Sequence, residues 1–333
     1  MENNKTYNYG MLSVTKLIAA ILVVMIHTMA FSSLSKDLWV ATSLGICRVA
    51  VPFFFIISGY FFYNLKDNSE RIKKIKKYTI FYGKAVLFEA VISIAYLIYL
   101  ISNFPILSTI KGILFVGVTG SLWYISSMII GFLFIIPFLK KDHYKLLVII
   151  SIIFFAFGLA GDSYYGIFSN TIIGTATDIY RNIFIMMQVG VTASVPFLTL
   201  GILLNKFDMV EKIKKPEIWI IIGGVLLLIE AFVLYKKEIA LDYNLYISLL
   251  IVAPTIFIWT VKSKIKISEK SSILCRKLSV LVYITHQPIA LLLGILIPYL
   301  IGNSVLRFLL TLILTVIFSY GLIKLKLDKF LAK

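Results

Sequence analysis

The sequence predicts an all-α, polytopic integral membrane protein, and composition, apolar runs and loop charge all indicate this fold class. Hydrophobic residues make up 60% of the 333 residues and charged residues only 15%, whereas soluble domains average about 45–50% and about 25%. A soluble core of this length would not bury so much apolar surface, so the lipid bilayer is the expected solvent. The formal net charge is +17, but the basic residues form short runs between apolar stretches, which predicts no nucleic-acid partner.

About ten transmembrane helices are predicted, since a span needs roughly 20 apolar residues. They form one domain over residues 1–333 and lie near 11–32, 40–64, 78–102, 121–139, 145–161, 183–205, 217–235, 245–261, 278–300 and 304–324. The first stretch contains Lys16 and His27 and is too long for the apolar part of a signal peptide. We therefore expect it to remain as the first helix.

Loop charge predicts the orientation of these helices. Every second connection is basic, and the one between the second and third helices holds six Lys and Arg residues: Lys66, Arg71, Lys73, Lys74, Lys76 and Lys77. The connection before it holds only Lys36. Because basic loops stay in the cytoplasm, both termini are predicted to be cytoplasmic.

The first span carries two ionisable residues, which are costly in a membrane and therefore suggest function. Lys16 and His27 are eleven positions apart, close to three helical turns, so they share one face and lie about 16 Å apart along the axis. Lys16, near the cytoplasmic end, either snorkels to the surface or takes part in binding. His27 is the best candidate for proton transfer, because imidazole titrates near neutral pH.

Three further basic residues are candidates for binding negatively charged groups, one in the outer part of the membrane and two at its cytoplasmic surface. Arg48, in the outer third of the second span, either stabilises an anion or an oxyanion, or pairs with a helix-end carbonyl. Lys74 and Lys77 lie on one face at the start of the third helix. They either bind phosphates as point charges or serve orientation and anionic lipid.

Five other residues are candidates for substrate binding. Trp123 and Tyr124 open the fourth helix, where an aromatic pair also fits an interfacial belt. Asp162 and Arg181 flank a long outer connection and either bind a polar substrate or face water. His286, in the ninth helix, is either functional or a packing histidine.

Several other features bear on chemistry. Glu89 and Glu230 are intramembrane carboxylates for which the sequence names no partner. No metal-ligand spacing and no phosphate-binding loop occurs in the sequence, so no metal is expected.

The spacing Lys16-x10-His27, the string CRVAVPFFFIISGY from Cys47 to Tyr60, and the pair Lys74-x-x-Lys77 resemble the acyltransferase 3 family. The resemblance extends over essentially the whole chain. It implies transfer of an acyl group, usually acetyl, from cytoplasmic acyl-CoA to a hydroxyl of an extracytoplasmic cell-envelope glycan or related acceptor, in a bacterial cell membrane. By position, His27 would be the catalytic histidine and Arg48 an active-site cation, while Lys16 and the lysine pair would match donor-binding positions.

Within that family, LWY at 122–124 and GLAGDSYYGI at 158–167 are similar to the membrane half of vancomycin-resistance serine racemases. Those proteins continue into a pyridoxal-phosphate-dependent domain, whereas this chain ends at Lys333, so we expect neither racemase activity nor that cofactor. Two alternatives stay open. One is L-serine transport, with Asp162 and Arg181 contacting the charged ends of the amino acid, and the other is a degenerate, non-catalytic family member that acts as a partner subunit. Ser121 stands where many members have histidine, and the basic pair is lysine rather than arginine, which affects acceptor identity and donor affinity.

Overall fold

The computed structural model describes residues 7–332, and residues 1–6 and 333 lie outside this description. Within the described range the chain folds into helices and turns, with no strand. The longer helices are α1 Tyr9–His27, α2 Lys36–Tyr63, α3 Asn68–Ile92, α4 Ile94–Asn103, α5 Ile106–Val116, α6 Trp123–Lys140, α7 Tyr144–Gly161, α8 Ile172–Phe184, α9 Val191–Lys206, α10 Pro216–Lys236, α11 Leu249–Lys262, α12 Glu269–Leu296 and α13 Ser304–Lys324. Short turns of helix occupy Tyr165–Phe168, Met209–Lys212, Tyr299–Gly302 and Asp328–Ala332.

The helical membrane fold is confirmed in its general form. Among the described residues, seven helices are long and apolar enough to cross a bilayer, or eight if α3 and α4, which are bent by 92°, form one span. The shorter apolar helices α9 and α11 occupy the predicted sixth and eighth spans. The count of ten and the cytoplasmic termini, which include residues outside the described range, remain predictions.

Three predicted spans differ from the observed helices. The span 11–32 ends early, because α1 stops at His27 and turns with positive φ at Met29 and Phe31 follow. The predicted span 78–102 is interrupted at Ser93, where α3 ends and α4 begins in a new direction. The predicted span 183–205 starts late: α8 ends at Phe184, Ile185 and Gly190 have positive φ, and α9 begins only at Val191. Hydropathy averages a window of residues and does not register such breaks in the backbone.

Two helices lie where the sequence indicated only connections. α5 and α8 precede α6 and α9 along the chain. In α8, Ile172, Ile179 and Ile183 are exposed, whereas Gly174 and Thr177 are buried against the rest of the protein. Such a two-faced helix alternates apolar and polar residues along the chain, so a search for continuous apolar runs misses it.

Close packing between two helix pairs builds the core. α2 crosses α9 at a glycine of each helix. Gly59 of α2 lies against the Leu198 backbone, and Gly201 of α9 lies against the Ile56 carbonyl, so neither position has room for a Cβ atom. Small residues allow this close approach of backbones within a membrane. α1 packs against α12 and α13 through a second group of buried residues: Ala20 and Val24 of α1, Ala30 just after it, Val282 of α12 and Phe308 of α13. This second contact brings the end of α1 beside the middle of α12.

The first half of α2 is irregular in a way that positions Arg48. A π-helical stretch, Val40–Gly45, and a 3-10 turn, Ile46–Val49, precede the regular helix. Pro52 lacks an N–H and leaves the carbonyl of residue 48 without its usual helical donor. Single π-turns inside helices are frequent at functional sites.

Candidate functional site

A cavity of about 220 Å³ lies at the His27 end of α1. Its walls come from α1, α2, the loop before α6 and the start of that helix, the segment before α9 and α9 itself, the segment before α11, and α12. Its polar lining residues are His27, Arg48, Ser121, Gln188, Asp242 and Asn244. A mostly apolar pocket with a few convergent polar groups is the usual form of a small-molecule site.

His27 is the last residue of α1 and lines this cavity. Its ring centroid lies 5.0 Å from that of His286 on α12, with the two planes at 51°. Within residues 7–332 its imidazole nitrogens make no hydrogen bond. A ring nitrogen of His27 is therefore available to engage a bound molecule.

His286 lies behind His27 and does not line the cavity. It is fully buried, and its Nδ1 lies 2.8 Å from the Tyr283 carbonyl and 3.1 Å from the Val282 carbonyl. Carbonyls only accept hydrogen bonds, so Nδ1 carries the proton and Nε2 carries a lone pair. Nε2 has no partner among the described residues.

Arg48 reaches the cavity from α2 and is held on two sides. Its Nε donates to the Ser43 carbonyl at 3.0 Å, and one terminal nitrogen donates to Asn244 Oδ1 at 2.6 Å. The Asn244 amide in turn donates to Asp162 Oδ2 at 3.1 Å. A guanidinium fixed in this way is preorganised to face negative charge in the cavity.

Asp162 is fully buried and sits behind Asn244 rather than on the cavity wall. Its Oδ1 accepts the backbone N–H groups of Asn244 at 2.8 Å and Leu245 at 3.1 Å, and the Ser163 hydroxyl at 2.9 Å. Burial raises the pKa of the Asp162 carboxyl to about 6, the nearby Asp242 adds to this, and the hydrogen bonds from Asn244 and Leu245 oppose it. Asp162 thus orders the segment that holds Arg48.

Glu89, for which the sequence names no partner, organises the loop before α6. Its carboxylate accepts the backbone N–H groups of Val118 at 2.9 Å and Thr119 at 3.2 Å, and the hydroxyls of Thr119 at 2.8 Å and Ser121 at 3.1 Å. From α12, the Tyr283 hydroxyl donates to the Ser121 carbonyl at 2.5 Å. The loop needs glycine at Gly117 and Gly120, where φ is +81° and +84°.

That loop places Trp123 and Tyr124 differently. Trp123 lines the cavity. Tyr124 packs against Phe55, with ring centroids 4.7 Å apart, and donates its hydroxyl to the Phe54 carbonyl at 3.2 Å. Tyr124 therefore supports the helix carrying Arg48 and does not line the cavity.

Arg181 lies on α8, away from the cavity lining. It donates to the Gly161 carbonyl at 2.7 Å, pairs with Asp178, and stacks over the Tyr165 ring at 4.4 Å. Asp162 and Arg181 are thus both engaged by groups of the protein itself. Glu230 is engaged as well: it accepts from the Ile247 and Ser248 backbone and from the Tyr164 hydroxyl.

The predicted donor residues lie together toward the N-terminal end of α1, with Lys16 in the first half of that helix. Lys16 interacts electrostatically with Lys74 of α3 and with Arg276 of α12, and Lys74 interacts with Lys77. Lys74 and Lys77 are exposed. Arg276 joins this basic cluster, although nothing in its sequence context distinguishes it from the other basic residues of its connection.

Sequence reasoning missed three polar residues of the cavity: Gln188, Asp242 and Asn244. Asp242 and Asn244 form an isolated polar pair directly before the apolar run of α11, and that position is a usable signal. Gln188 lies in the irregular segment between α8 and α9, where no periodicity indicates which side chains point inward.

The comparisons with known proteins agree with the resemblance read from the motifs. The model of the acyltransferase 3 family, described as an acyltransferase domain, matches residues 11–324. An amino-acid racemase of Enterococcus faecalis is 30% identical over 93% of this chain and 45% of its own length, and a serine/alanine racemase of Enterococcus gallinarum is 27% identical over 71% and 35%. The chain therefore spans less than half the length of these curated relatives. No solved structure matches.

The extent of the family match and the helical membrane fold lead to one conclusion. The matched region includes α1, which carries His27, and extends to the end of α13. The chain belongs to the acyltransferase 3 family and has the helical fold of a membrane protein.

Proposed function

We propose that this protein transfers an acyl group, acetyl being the simplest, from acyl-CoA to a hydroxyl of an acceptor bound beside His27. The observation that carries the proposal is that His27 and Arg48 line one cavity, with a basic cluster toward the N-terminal end of the helix that carries His27. We further propose the cell membrane of a bacterium as its location and a cell-envelope glycan or a small hydroxyl compound as acceptor.

The basic cluster supports binding of the donor. Acyl-CoA carries phosphates, and Lys16, Lys74, Lys77 and Arg276 would attract them as neighbouring cations. Lys16 and His27 are eleven positions apart on α1, about 16 Å along the axis. The arm of acyl-CoA that links its phosphates to the thioester would have to span that length for the thioester to reach His27.

In the proposed reaction, His27 accepts the proton of the acceptor hydroxyl as its oxygen attacks the thioester carbonyl. A C–O bond forms, and the carbonyl oxygen becomes an oxyanion facing the Arg48 guanidinium. The C–S bond then breaks, and the imidazolium returns the proton to the departing thiolate. His286 supports this role, because its Nε2 lone pair is an available acceptor for one His27 N–H, which would leave the other nitrogen as the base.

L-serine transport is less well supported. It relied on Asp162 and Arg181 to hold the charged ends of an amino acid, and both residues have internal partners. Arg48 remains a cation in the cavity, so the transport hypothesis is included in the experiment.

The test uses the full chain reconstituted in liposomes with radiolabelled acetyl-CoA and, separately, radiolabelled L-serine. We expect CoA release with formation of an acetyl ester on an added hydroxyl acceptor. His27→Ala should lower this rate by about 10²–10⁴-fold, the usual contribution of a general base.

His143→Ala is the matched control, because His143 is an exposed histidine before α7, and its activity should equal that of the wild type. Equal loss in both variants would contradict the role of His27. Serine uptake that does not depend on acetyl-CoA, without ester formation, would favour transport instead.

A further inference from the structure

We propose that Gln188 and Asp242 form the acceptor-binding wall of the cavity and restrict the acceptor group to an uncharged polyhydroxyl ring the size of one sugar unit. This inference rests on the proposed function, because it names the substrate class of that same cavity. Neither residue belongs to the motifs that carry the family resemblance.

Gln188 is a buried polar group without a polar partner. It is 3% exposed, lines the cavity, and its Oε1 makes no hydrogen bond within the described residues. Its amide nitrogen has only the Met186 sulfur at 3.3 Å. A buried amide left unpaired is costly, so a ligand that supplies hydrogen bonds would recover that free energy.

The segment around Gln188 is built to present it. Ile185 and Gly190 have positive φ on either side. The Gly190 N–H donates to the Ser127 hydroxyl at 3.0 Å, and the Tyr180 hydroxyl donates to the Val189 carbonyl at 2.6 Å. The backbone beside Gln188 is thus fixed by α6 and α8, while its side chain stays uncommitted.

The charges of the cavity favour an uncharged acceptor. Arg48 and Asp242 are the charged residues of its lining among the described residues, one of each sign. Asp242 Oδ1 accepts only its neighbouring N–H, from Tyr243 at 2.8 Å, so its carboxylate has acceptor capacity for hydroxyl groups. An anionic acceptor would meet this carboxylate, and a cationic acceptor would meet Arg48.

The size and one aromatic wall indicate a single ring. The volume of about 220 Å³ equals roughly seven waters at about 30 Å³ each, and it is below the range of about 300–1,000 Å³ usual for drug-sized ligands. Trp123 lines the same cavity, and its indole ring is a large apolar surface. An amide, a carboxylate and an aromatic face together match a ring that carries hydroxyl groups on its edge.

The experiment uses the full chain in lipid nanodiscs with acetyl-CoA and three probes: methyl β-D-glucopyranoside, its C6 carboxylate analogue methyl β-D-glucuronide, and L-serine. We expect the wild type to acetylate the glucoside best. Gln188→Leu should raise the KM for the glucoside about tenfold and leave the KM for acetyl-CoA unchanged. Asp242→Asn should lower the ratio of kcat/KM for the glucoside to kcat/KM for the glucuronide, because it removes the carboxylate that repels an anionic acceptor.

Gln287→Leu is the matched control, because Gln287 also has an unpartnered side-chain oxygen but does not line the cavity. Equal KM values for the glucoside in the Gln188 and Gln287 variants, at equal unfolding temperature, would overturn the inference while leaving the acyltransferase intact. Preference for the glucuronide or for L-serine would overturn the proposed acceptor class.

A binding measurement separates failure of this inference from failure of the proposed function. If the wild type releases no CoA with any acceptor, the proposed function fails, and thermal unfolding with added glucoside still tests the site. A ligand that binds only the folded state raises the unfolding temperature. Stabilisation of wild type and Gln287→Leu but not Gln188→Leu supports the site, and no difference among the three overturns it.

Discussion

The two ends of α1 hold their polar residues in different ways. At one end, Lys16 lies among other cations, and the neighbouring Lys74 and Lys77 are exposed. At the other end, Arg48 has two hydrogen-bond acceptors, and its partner Asn244 is held by the buried Asp162. Exposed cations are suited to attract a phosphorylated molecule, whereas a fixed guanidinium is suited to meet charge that develops at one point.

This difference predicts a division of effects between the two ends of the helix. Changes at the cavity end should act mainly on kcat, because Arg48 and its partners face the reacting atoms in the proposed reaction. Changes at the basic end should act mainly on the KM for acyl-CoA, because the lysines there would meet only its phosphates.

The largest effect is expected for Arg48→Ala, which removes the only cation lining the cavity among the described residues. Loss of one preorganised oxyanion donor costs about 10²–10³ in kcat. Arg48→Lys should restore part of the rate, because it keeps the charge but loses the fork of donors. Steady-state kinetics in nanodiscs measures both, and an unchanged kcat in Arg48→Ala would remove Arg48 from the mechanism.

An intermediate effect is expected for Asn244→Leu. This change roughly keeps the side-chain volume but removes the amide that accepts from Arg48 and donates to Asp162. Arg48 keeps the Ser43 carbonyl, so kcat should fall about tenfold, the equivalent of one hydrogen bond of about 1.4 kcal/mol, with the KM for acyl-CoA unchanged. Asn205→Leu is the control, because Asn205 also makes two hydrogen bonds, to Tyr60 and Asn64. A similar fall in kcat in both variants would indicate a general loss of stability.

The smallest effect is expected at the basic end. Lys74→Ala and Lys77→Ala should each raise the KM for acyl-CoA about threefold, since exposed charge interactions contribute only about 0.2–1 kcal/mol. High salt should reduce the difference in this KM between each variant and the wild type, while kcat stays unchanged. The double variant Lys141→Ala, Lys145→Ala removes two exposed lysines from another connection, and an equal KM increase there would show a non-specific effect of net charge.

The fold class followed from the sequence because it depends on local properties. Apolar runs identified the helices, and the observed helices overlap each predicted span. The break at Ser93 and the late start of α9 were missed, because they depend on single backbone angles that hydropathy does not register. The helix α5 was missed as well, because it lies in a connection and is too short to resemble a span.

The candidate site was only partly predictable. Helical periodicity placed Lys16 and His27 on one face of α1, and intramembrane cost singled out Arg48. Asp162 and Arg181 were chosen as charged residues of an outer connection, and the structure gives both of them internal partners instead. Periodicity describes one helix at a time, so it does not show which charges will meet a partner from another element.

The sequence by itself determined that this chain is a helical membrane protein of the acyltransferase 3 family, because composition, hydropathy and local motifs are properties of short stretches. Only the tertiary structure decided which residues share the cavity. Gln188, Asp242 and Asn244 come from segments far from His27 along the chain and meet it through the packing of α1 against α12 and of α2 against α9. The physical reason is that contacts between distant segments depend on the fit of whole helix faces, which no single stretch of sequence encodes.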